Sequence, residues 1–236
     1  GVWADGSLEA ARIARMATQG GASALLVFPP APFTLGQSPA MALAHFKRIA
    51  DATDLPLIVF QYPLATGQGY PQDTMLELCE AVPSIRAIKD WIGNAPHHEW
   101  HIQTLQSLPR PVNLLTTHSS WLFSSLVLGC NGLLSGSGSV IADLQARLFR
   151  AVKANDLAEA KRLHERIAHT ARVFYADPFI DMHNRMKEAL VLLGRLPRAV
   201  VRPPLMKLSA AEIERIRQAL MAAGLLAGEG QAKKVA

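Results

Sequence analysis

Short aliphatic runs alternate along residues 1–155 with longer stretches in which apolar residues recur every three or four positions. The runs are mostly apolar throughout, as is typical of parallel strands covered by helices on both faces. Neighbouring runs lie about 20 to 32 residues apart, the length of a βα unit. The pattern therefore predicts a mostly parallel α/β sheet, either open or closed into a barrel. The predicted strands are Ala24–Phe28, Pro56–Phe60, Arg86–Lys89, Val112–Leu115 and Gly132–Ser135.

Helical periodicity accounts for the rest of the chain. Between the strands it predicts helices at Leu8–Thr18, Pro39–Ala52, Thr74–Ala81, His97–Leu108, Ser119–Leu128 and Val140–Ala154. Beyond residue 155 the alternation stops, and three helices are predicted at Leu157–Phe174, Asp181–Leu193 and Ser209–Ala223. Ser209 and Glu212 form a capping box that opens the last of these helices. We therefore expect a partial barrel at 1–155, a helical extension at 156–224 and a disordered tail at 225–236.

The first of the three later helices carries a clear apolar stripe. Its members recur at helical spacing and are Leu157, Ala160, Leu163, Ile167, Ala171 and Phe174. Such a stripe predicts a helix that buries one face.

Composition narrows the class of protein. Half of the residues are hydrophobic and 18% are charged, which excludes a disordered chain. The formal net charge is +5, but the basic residues are scattered and aromatics are only 6%, so no nucleic-acid partner is expected. No apolar run approaches the ~20 residues of a membrane-spanning helix. Two cysteines and no signal-peptide pattern favour a reducing, cytoplasmic location.

A lone lysine ends the third predicted strand. The segment 56–67 reads PLIVFQYPLATG, and 84–90 reads SIRAIKD, which places Lys89 at the carboxyl end of the strand. GLLSGSGS follows at 132–139, and KEALVLLG…VRPPL…LS runs from Lys187 to Ser209. Together these motifs resemble the dihydrodipicolinate synthase/N-acetylneuraminate lyase family, over nearly the whole chain from Gly1 to Leu220.

The resemblance implies a (β/α)8 TIM barrel with a C-terminal three-helix extension. By that comparison the five strands are strands four to eight of the barrel, and the chain starts just after strand three. The family's members are class I lyases, free of metal and cofactor, that form an imine between a lysine and a 2-oxo acid. They are often tetramers or dimers, so a homo-oligomer is expected.

Lys89 is the expected nucleophile. An imine-forming lysine must be neutral at working pH, which requires desolvation or a nearby positive charge. The run Ile85–Ile88 supplies an apolar setting, and strand carboxyl ends are where barrel sites lie. Position alone favours a lysine that extends into solvent and has no catalytic role. The resemblance favours the nucleophile.

The chain departs from the family where the proton-relaying tyrosine is expected, because that position is Phe60, which has no hydroxyl. Tyr62, two residues on, either places a phenol near Lys89 or only packs under the loop. The family's arginine for a second carboxylate falls at Ala65, and its hydroxyl-bearing aromatics fall at Pro30 and Ala31. These losses disfavour dihydrodipicolinate synthase chemistry itself.

Further substrate contacts are expected at the ends of the last two strands. Thr117 and His118 follow the fourth strand, where His118 acts as an acid, a base or a hydroxyl ligand, or caps the next helix. The resemblance places Leu134 and Gly136 beside the 2-oxo acid. The glycines and serines at 136–139 offer N–H groups to an anion, or simply form a tight turn.

A group of histidines is interpreted as structural. His97, His98 and His101 lie in HHEWH, which lacks the spacing of H-E-x-x-H and has no evident third ligand. A solvated helix face is therefore predicted, and no metal site. Asp90 is expected to point away from the lysine face of its strand.

Taken together, the sequence predicts a lyase, an aldolase or dehydratase, for a small-molecule 2-oxo acid such as pyruvate or a 2-keto-3-deoxy sugar acid. Lys89 and Tyr62 are the expected catalytic residues, and Phe60, Thr117, His118, Leu134 and Gly136 the expected substrate contacts. Two alternatives stay open: dihydrodipicolinate synthase with substituted relay groups, and a catalytically silent member that binds a metabolite.

Overall fold

Five parallel strands form one sheet in the computed structural model, which describes residues 1–117 and 119–227. Their order in the sheet follows their order in the chain. They are β1 (Leu25–Val27), β2 (Leu57–Gln61), β3 (Ile85–Asp90), β4 (Asn113–Thr116) and β5 (Gly132–Leu133). All five predicted strands are confirmed. Sequential parallel order places the carboxyl ends of all the strands at one edge of the sheet.

Aliphatic side chains explain why these segments are strands. Leu57 and Val59 on β2, Ile85 and Ile88 on β3, and Leu114 on β4 are completely buried. Branched side chains suit the pleated backbone, and parallel strands are covered on both faces, so each short run is apolar almost throughout. The sheet interior is therefore encoded locally, strand by strand.

The helices that follow the first four strands, and the helix before β1, are α1 (Ser7–Gln19), α2 (Pro39–Ala50), α3 (Gln72–Ala81), α4 (Ala95–Leu105) and α5 (Leu122–Val127). Local chemistry fixes two of the starts. Ser38 accepts a hydrogen bond from the Met41 N–H ahead of α2, and Asn94 accepts one from the His97 N–H ahead of α4. With Asn94 as its cap, α4 begins at Ala95, two residues before the predicted start at His97.

Four α-helices follow β5 among the described residues: α6 (Gly138–Lys153), α7 (Leu157–Phe174), α8 (Met182–Leu192) and α9 (Ala210–Ala222). On α7 the predicted apolar stripe is buried at Ala160, Leu163, Ile167, Ala171 and Phe174. At its first member the prediction is wrong: Leu157 is 49% exposed, because it occupies the first turn of the helix.

Of the predicted capping box of α9, the hydrogen bond to the Ser209 side chain is confirmed. The Ser209 hydroxyl accepts the Glu212 N–H at 3.2 Å. The Glu212 carboxylate lies instead within 3.5 Å of Arg185 and 3.6 Å of Arg215.

The described residues form two compact units. One contains 1–117 and 125–134, and so holds the whole sheet; the other contains 119–124 and 135–227. This grouping places α6 with the helices that follow it, while the division of the chain at 155 stays a prediction. Most of the predicted tail at 225–236 lies outside the described residues. Within the described ranges, no helix has both the length and the apolar character that crossing a bilayer requires.

Candidate active site

Lys89 and Phe60 are direct neighbours across the sheet. They occupy the same register position on β3 and β2, one residue before the end of each strand. The Lys89 Nζ atom lies 4.1 Å from the centroid of the Phe60 ring, which is cation–π distance. The lysine therefore sits at the carboxyl edge of the sheet with an aromatic face beside its nitrogen.

Phe60 is the centre of a larger group of rings, which we call the aromatic cluster: Trp3, Phe28, Phe60, Tyr62 and Trp91. Ring centroids lie 5.2 Å apart between Phe28 and Phe60, 4.6 Å between Phe60 and Tyr62, and 5.4 Å between Tyr62 and Trp91. Trp3 joins at 5.3 Å from Phe28, because Val2 pairs with β1 through the Leu26 and Phe28 backbone. Rings from the ends of three strands and from Trp3 thus form one cluster around Phe60, the ring that contacts Lys89.

The surroundings of Lys89 favour its neutral form. Burial lowers the pKa of Lys89 below its usual value, because the desolvated ammonium loses hydration. No carboxylate of the described residues forms an ion pair with it. A lowered pKa is what a nucleophilic amine needs near neutral pH.

Tyr62 follows β2 by one residue and is half-buried beside Phe60. Burial raises the pKa of its phenol, so the hydroxyl stays protonated and is able to donate a proton or a hydrogen bond at neutral pH. The structure therefore brings both residues that we expected to be catalytic into the aromatic cluster or against it.

Two of the expected substrate contacts lie at the same edge of the sheet. The Thr117 N–H donates to the Asp90 carbonyl at 3.2 Å, and the Leu134 N–H donates to the Thr116 carbonyl at 2.9 Å. These bonds continue the pairing of β3, β4 and β5 by one residue past the strand ends. Thr117 and Leu134 therefore lie at the carboxyl edge of the sheet, as Lys89 does. His118 lies outside the described residues.

Gly136 belongs to the second unit, in a group of hydroxyls that sequence reasoning missed. There the Ser119 Oγ atom lies 2.8 Å from the Ser135 and Ser137 hydroxyls and 3.0 Å from the Tyr175 phenol. A Cβ atom on Gly136 would lie 3.9 Å from that phenol oxygen. The serines are visible in GLLSGSGS, but nothing in the sequence pairs them with Tyr175.

The backbone of this segment is engaged within its own turn. The N–H of Gly138 donates to the Ser135 carbonyl at 3.1 Å, and that of Ser139 to the Gly136 carbonyl at 3.3 Å. The Ser137 N–H donates to the Tyr175 oxygen at 3.3 Å. These partners accord with the tight-turn interpretation of the glycines rather than with an anion cradle.

The interpretation of HHEWH as a solvated face is wrong for two of its histidines. His98 and His101 are buried, and each Nδ1 atom lies within hydrogen-bond distance of the Asp90 carboxylate, at 2.9 Å and 2.7 Å. Asp90 also accepts the Ile92 N–H at 2.8 Å. His98 and His101 lie three residues apart and so share one face of α4. That face packs on the end of β3.

Asp90 remains ionised in this buried setting. Burial alone would raise its pKa, but the hydrogen bonds from His101 and His98 outweigh that effect and hold the pKa well below its usual range. The described residues contain no group of side chains arranged to hold a metal ion.

Neither cysteine has the character of a nucleophile. Cys79 and Cys130 are free and buried, and burial raises the pKa of each thiol to about 12. Cys130 lies 3.4 Å from the outer nitrogen of His98, which places it at the end of the Asp90 network.

Comparison with known proteins decides the family. The model of the dihydrodipicolinate synthetase family matches residues 1–223. The chain belongs to this family. The resemblance drawn from the Lys89 strand and the later motifs is thereby confirmed.

Relatives within the dihydrodipicolinate synthetase family carry two kinds of name. The putative 2-dehydro-3-deoxy-D-gluconate aldolase YagE of Escherichia coli is 28% identical, over 83% of this chain and 64% of that protein. The 4-hydroxy-tetrahydrodipicolinate synthase of Maridesulfovibrio salexigens is 26% identical, over 96% of this chain and 74% of the relative. The chain thus spans about two thirds to three quarters of the length of these relatives.

Solved structures of the dihydrodipicolinate synthetase family show the same fold. YagE, solved in complex with pyruvate, superposes with a TM-score of 0.86 at 27% identity, over 95% of this chain and 74% of that one. The dihydrodipicolinate synthase of Thermotoga maritima gives a TM-score of 0.86 at 20% identity, over 96% and 75%. The α/β barrel class predicted from the resemblance is supported by these likenesses.

Proposed function

We propose that this protein is a Schiff-base-forming lyase, an aldolase or dehydratase, that acts on a 2-oxo acid such as pyruvate or a 2-keto-3-deoxy sugar acid. The observation that carries the proposal is Lys89: a half-buried amine at the carboxyl edge of a parallel sheet, with a lowered pKa and no carboxylate partner among the described residues. Family membership and the aldolase name of the relative YagE support it.

The chemistry begins with the neutral Lys89 amine. Its lone pair attacks the ketone carbon, a C–N bond forms, and the carbinolamine then loses water to give a protonated imine. The imine draws electrons from the adjacent carbons, so that a C–C bond breaks or a hydroxyl leaves. Each step moves a proton, and Tyr62, whose ring centroid lies 4.6 Å from that of Phe60, is the phenol proposed to supply or take it.

A hydroxylated substrate suits the residues better than a second carboxylate does. Ala65, where the family's arginine is expected, is exposed in a short turn and carries no charge. Thr117, His118, Leu134 and Gly136 are the proposed contacts, together with Phe60. The second candidate is 4-hydroxy-tetrahydrodipicolinate synthase, which is favoured by the names of several relatives at 26 to 28% identity.

The same family membership supports three further proposals, on the barrel, on assembly, and on location and cofactor. In the first, β1–β5 correspond to strands four to eight of the barrel, and 156–224 to its helical extension. The second is that the protein assembles as a homo-oligomer, a tetramer or a dimer. The third is that it works in the cytoplasm without a cofactor.

Borohydride trapping tests the function. The purified protein is incubated with pyruvate or with 2-keto-3-deoxygluconate, reduced, digested and analysed by peptide mass spectrometry. We expect the mass of the reduced adduct on Lys89, its absence in Lys89→Ala, and an unchanged yield in the exposed control Lys47→Ala. Circular dichroism establishes that each sample is folded. A folded wild-type protein without an adduct would overturn the lyase and favour a silent metabolite-binding member.

A further inference from the structure

The described partner of the Lys89 nitrogen is a ring face. Its Nζ atom lies 4.1 Å from the centroid of Phe60, a side chain that is only 8% exposed. No hydrogen bond or ion pair with another described residue competes for that nitrogen. A positive charge that forms there therefore meets the negative face of a phenyl quadrupole.

We propose that the Phe60 ring stabilises the protonated imine on Lys89, which makes Phe60 a catalytic residue although it has no hydroxyl. The inference rests on the proposed function, since it assumes that the imine forms. It assigns a catalytic role to position 60, where the chain lacks the family's proton-relaying phenol.

The charge balance of the reaction gives the ring its effect. A neutral amine, a ketone and one proton become a protonated imine and water, so the nitrogen gains a positive charge that it did not carry as the nucleophile. A carboxylate at 4 Å would hold Lys89 as the ammonium and block the attack, because it favours the charged form of the amine strongly. A ring face attracts the cation more weakly, and so leaves the amine able to lose its proton.

The other rings of the cluster hold Phe60 in place. Phe28 packs edge-on at an interplanar angle of 68°, while Tyr62 and Trp91 lie 4.6 Å and 6.5 Å from the Phe60 centroid. The β2–β3 register pairs Phe60 with Lys89 directly. Because the ring is fixed before the charge appears, stabilisation requires no reorganisation during the reaction.

The role has a pH signature that a merely structural side chain would lack. At low pH the free lysine is an ammonium, which the ring stabilises as it stabilises the imine, so the two effects cancel. At a pH where the free amine has lost its proton and the imine still keeps one, only the imine benefits. Removal of the ring should therefore weaken imine formation at high pH and leave it nearly unchanged at low pH.

Among the described residues, the titratable side chains next to Lys89 or Phe60 on the neighbouring strand positions are Tyr62 and Asp90. The Tyr62 phenol follows β2, and its raised pKa keeps it neutral. On β3, the Asp90 carboxylate is bonded to His98 and His101 from α4. On the β4 side, Lys89 pairs with Leu115, which does not titrate.

The first experiment measures the pyruvate concentration that gives half-maximal borohydride trapping, between pH 6 and pH 10, in wild type, Phe60→Leu and Phe60→Tyr. Leucine keeps an apolar side chain without the ring, so we expect it to need about fivefold to thirtyfold more pyruvate at high pH. Tyrosine keeps the ring face and should restore trapping to within about twofold. An equal loss at every pH in Phe60→Leu would indicate a structural defect and overturn the proposal.

A fluorine series separates charge from shape. Phenylalanines with one, two or three ring fluorines at position 60 keep nearly the same volume while the ring face becomes less negative. We expect the logarithm of the imine equilibrium constant at high pH to fall steadily along the series. The same replacements at Phe46, which is fully buried and packs edge-on against Tyr70, serve as the matched control.

The outcomes separate the two proposals. Trapping in wild type with a flat fluorine series would overturn the role of Phe60 and leave the lyase intact. No trapping in a folded wild type would overturn the lyase, and the role of Phe60 with it.

Discussion

The side chain of Gln61 hydrogen-bonds both backbone groups of Tyr70. Its Nε2 atom donates to the Tyr70 carbonyl at 2.9 Å, and its Oε1 atom accepts the Tyr70 N–H at 3.1 Å. Gln61 is completely buried and lies between Phe60 and Tyr62. The loop that carries Tyr62 is therefore closed at its base by one amide, which mimics a strand pair.

Replacement of this amide should release the loop. Gln61→Leu leaves a buried N–H and a buried carbonyl unpaired, which we expect to lower the free energy of unfolding by about 2 kcal/mol. Urea unfolding measures the loss, and Gln103→Leu on the exposed side of α4 is the control. A loss in Gln61→Leu no larger than in the control would show that the two bonds contribute nothing.

Gly69 has no room for a side chain. A Cβ atom there would lie 2.4 Å from the Tyr62 carbonyl oxygen and 2.9 Å from the Leu64 nitrogen, both of them backbone atoms. We expect Gly69→Ala to cost about 2 kcal/mol of stability and to reduce turnover, because the Tyr62 loop must move. Gly6→Ala, where nothing lies within 4 Å, should change turnover by less than about twofold. Equal stability and turnover in the two variants would show that a side chain at position 69 is accommodated without displacing the Tyr62 loop.

Asp90→Asn should destabilise the β3–α4 junction. The asparagine side chain loses the charge that both histidine N–H groups share, at a cost of about 3 kcal/mol at pH 7. Since the folded pKa of Asp90 lies below its unfolded value of about 3.9, wild type should lose this advantage as the pH falls below about 4. Asp54→Asn, at an exposed site, is the control. Equal denaturation midpoints for Asp90→Asn and the control at pH 7 would refute the role of the carboxylate.

His45 should make the fold weaker in acid. Desolvation lowers the pKa of this buried histidine to about 4, whereas the unfolded value is about 6.5. Between these values the unfolded chain binds the extra proton, so stability is complete above about pH 6.5 and falls towards pH 4 by up to about 3 kcal/mol. His45→Phe should flatten that part of the profile of unfolding free energy against pH. Profiles of the same slope in variant and wild type would assign the acid sensitivity to other groups.

Tyr62→Phe tests the proton donor. Removal of the phenol oxygen should slow imine formation on Lys89 but leave the final extent of trapping unchanged, because a proton donor changes the rate and not the imine equilibrium, and the ring remains beside Phe60. Turnover with a 2-keto-3-deoxy sugar acid should fall by about 100-fold, the usual contribution of one general acid. Tyr70→Phe is the control, because it removes a phenol that is completely buried and has no hydrogen-bond partner among the described residues; its turnover should stay close to that of wild type. The same turnover in both variants would assign the proton transfer elsewhere.

Much of the fold was readable from the chain alone. The aliphatic runs predicted all five strands because a strand buried on both faces has an apolar sequence whatever its partners are. The predicted start of α2 at Pro39 and the predicted cap of α9 at Ser209 are both found, because helix starts depend on neighbours along the chain. Lys89 stood out because it interrupts such a run at its end.

Only the tertiary structure decided what surrounds that lysine. Helical spacing placed His98 and His101 on one face of α4, but the packing of that face on Asp90 made it buried rather than solvated. The aromatic cluster joins residues from Trp3 to Trp91, and no local pattern relates them. Periodicity and capping act within a few residues, whereas a site forms where the sheet brings distant strand ends together. The sequence determined which residue carries the amine, and the packing of the strands decided that it faces a ring.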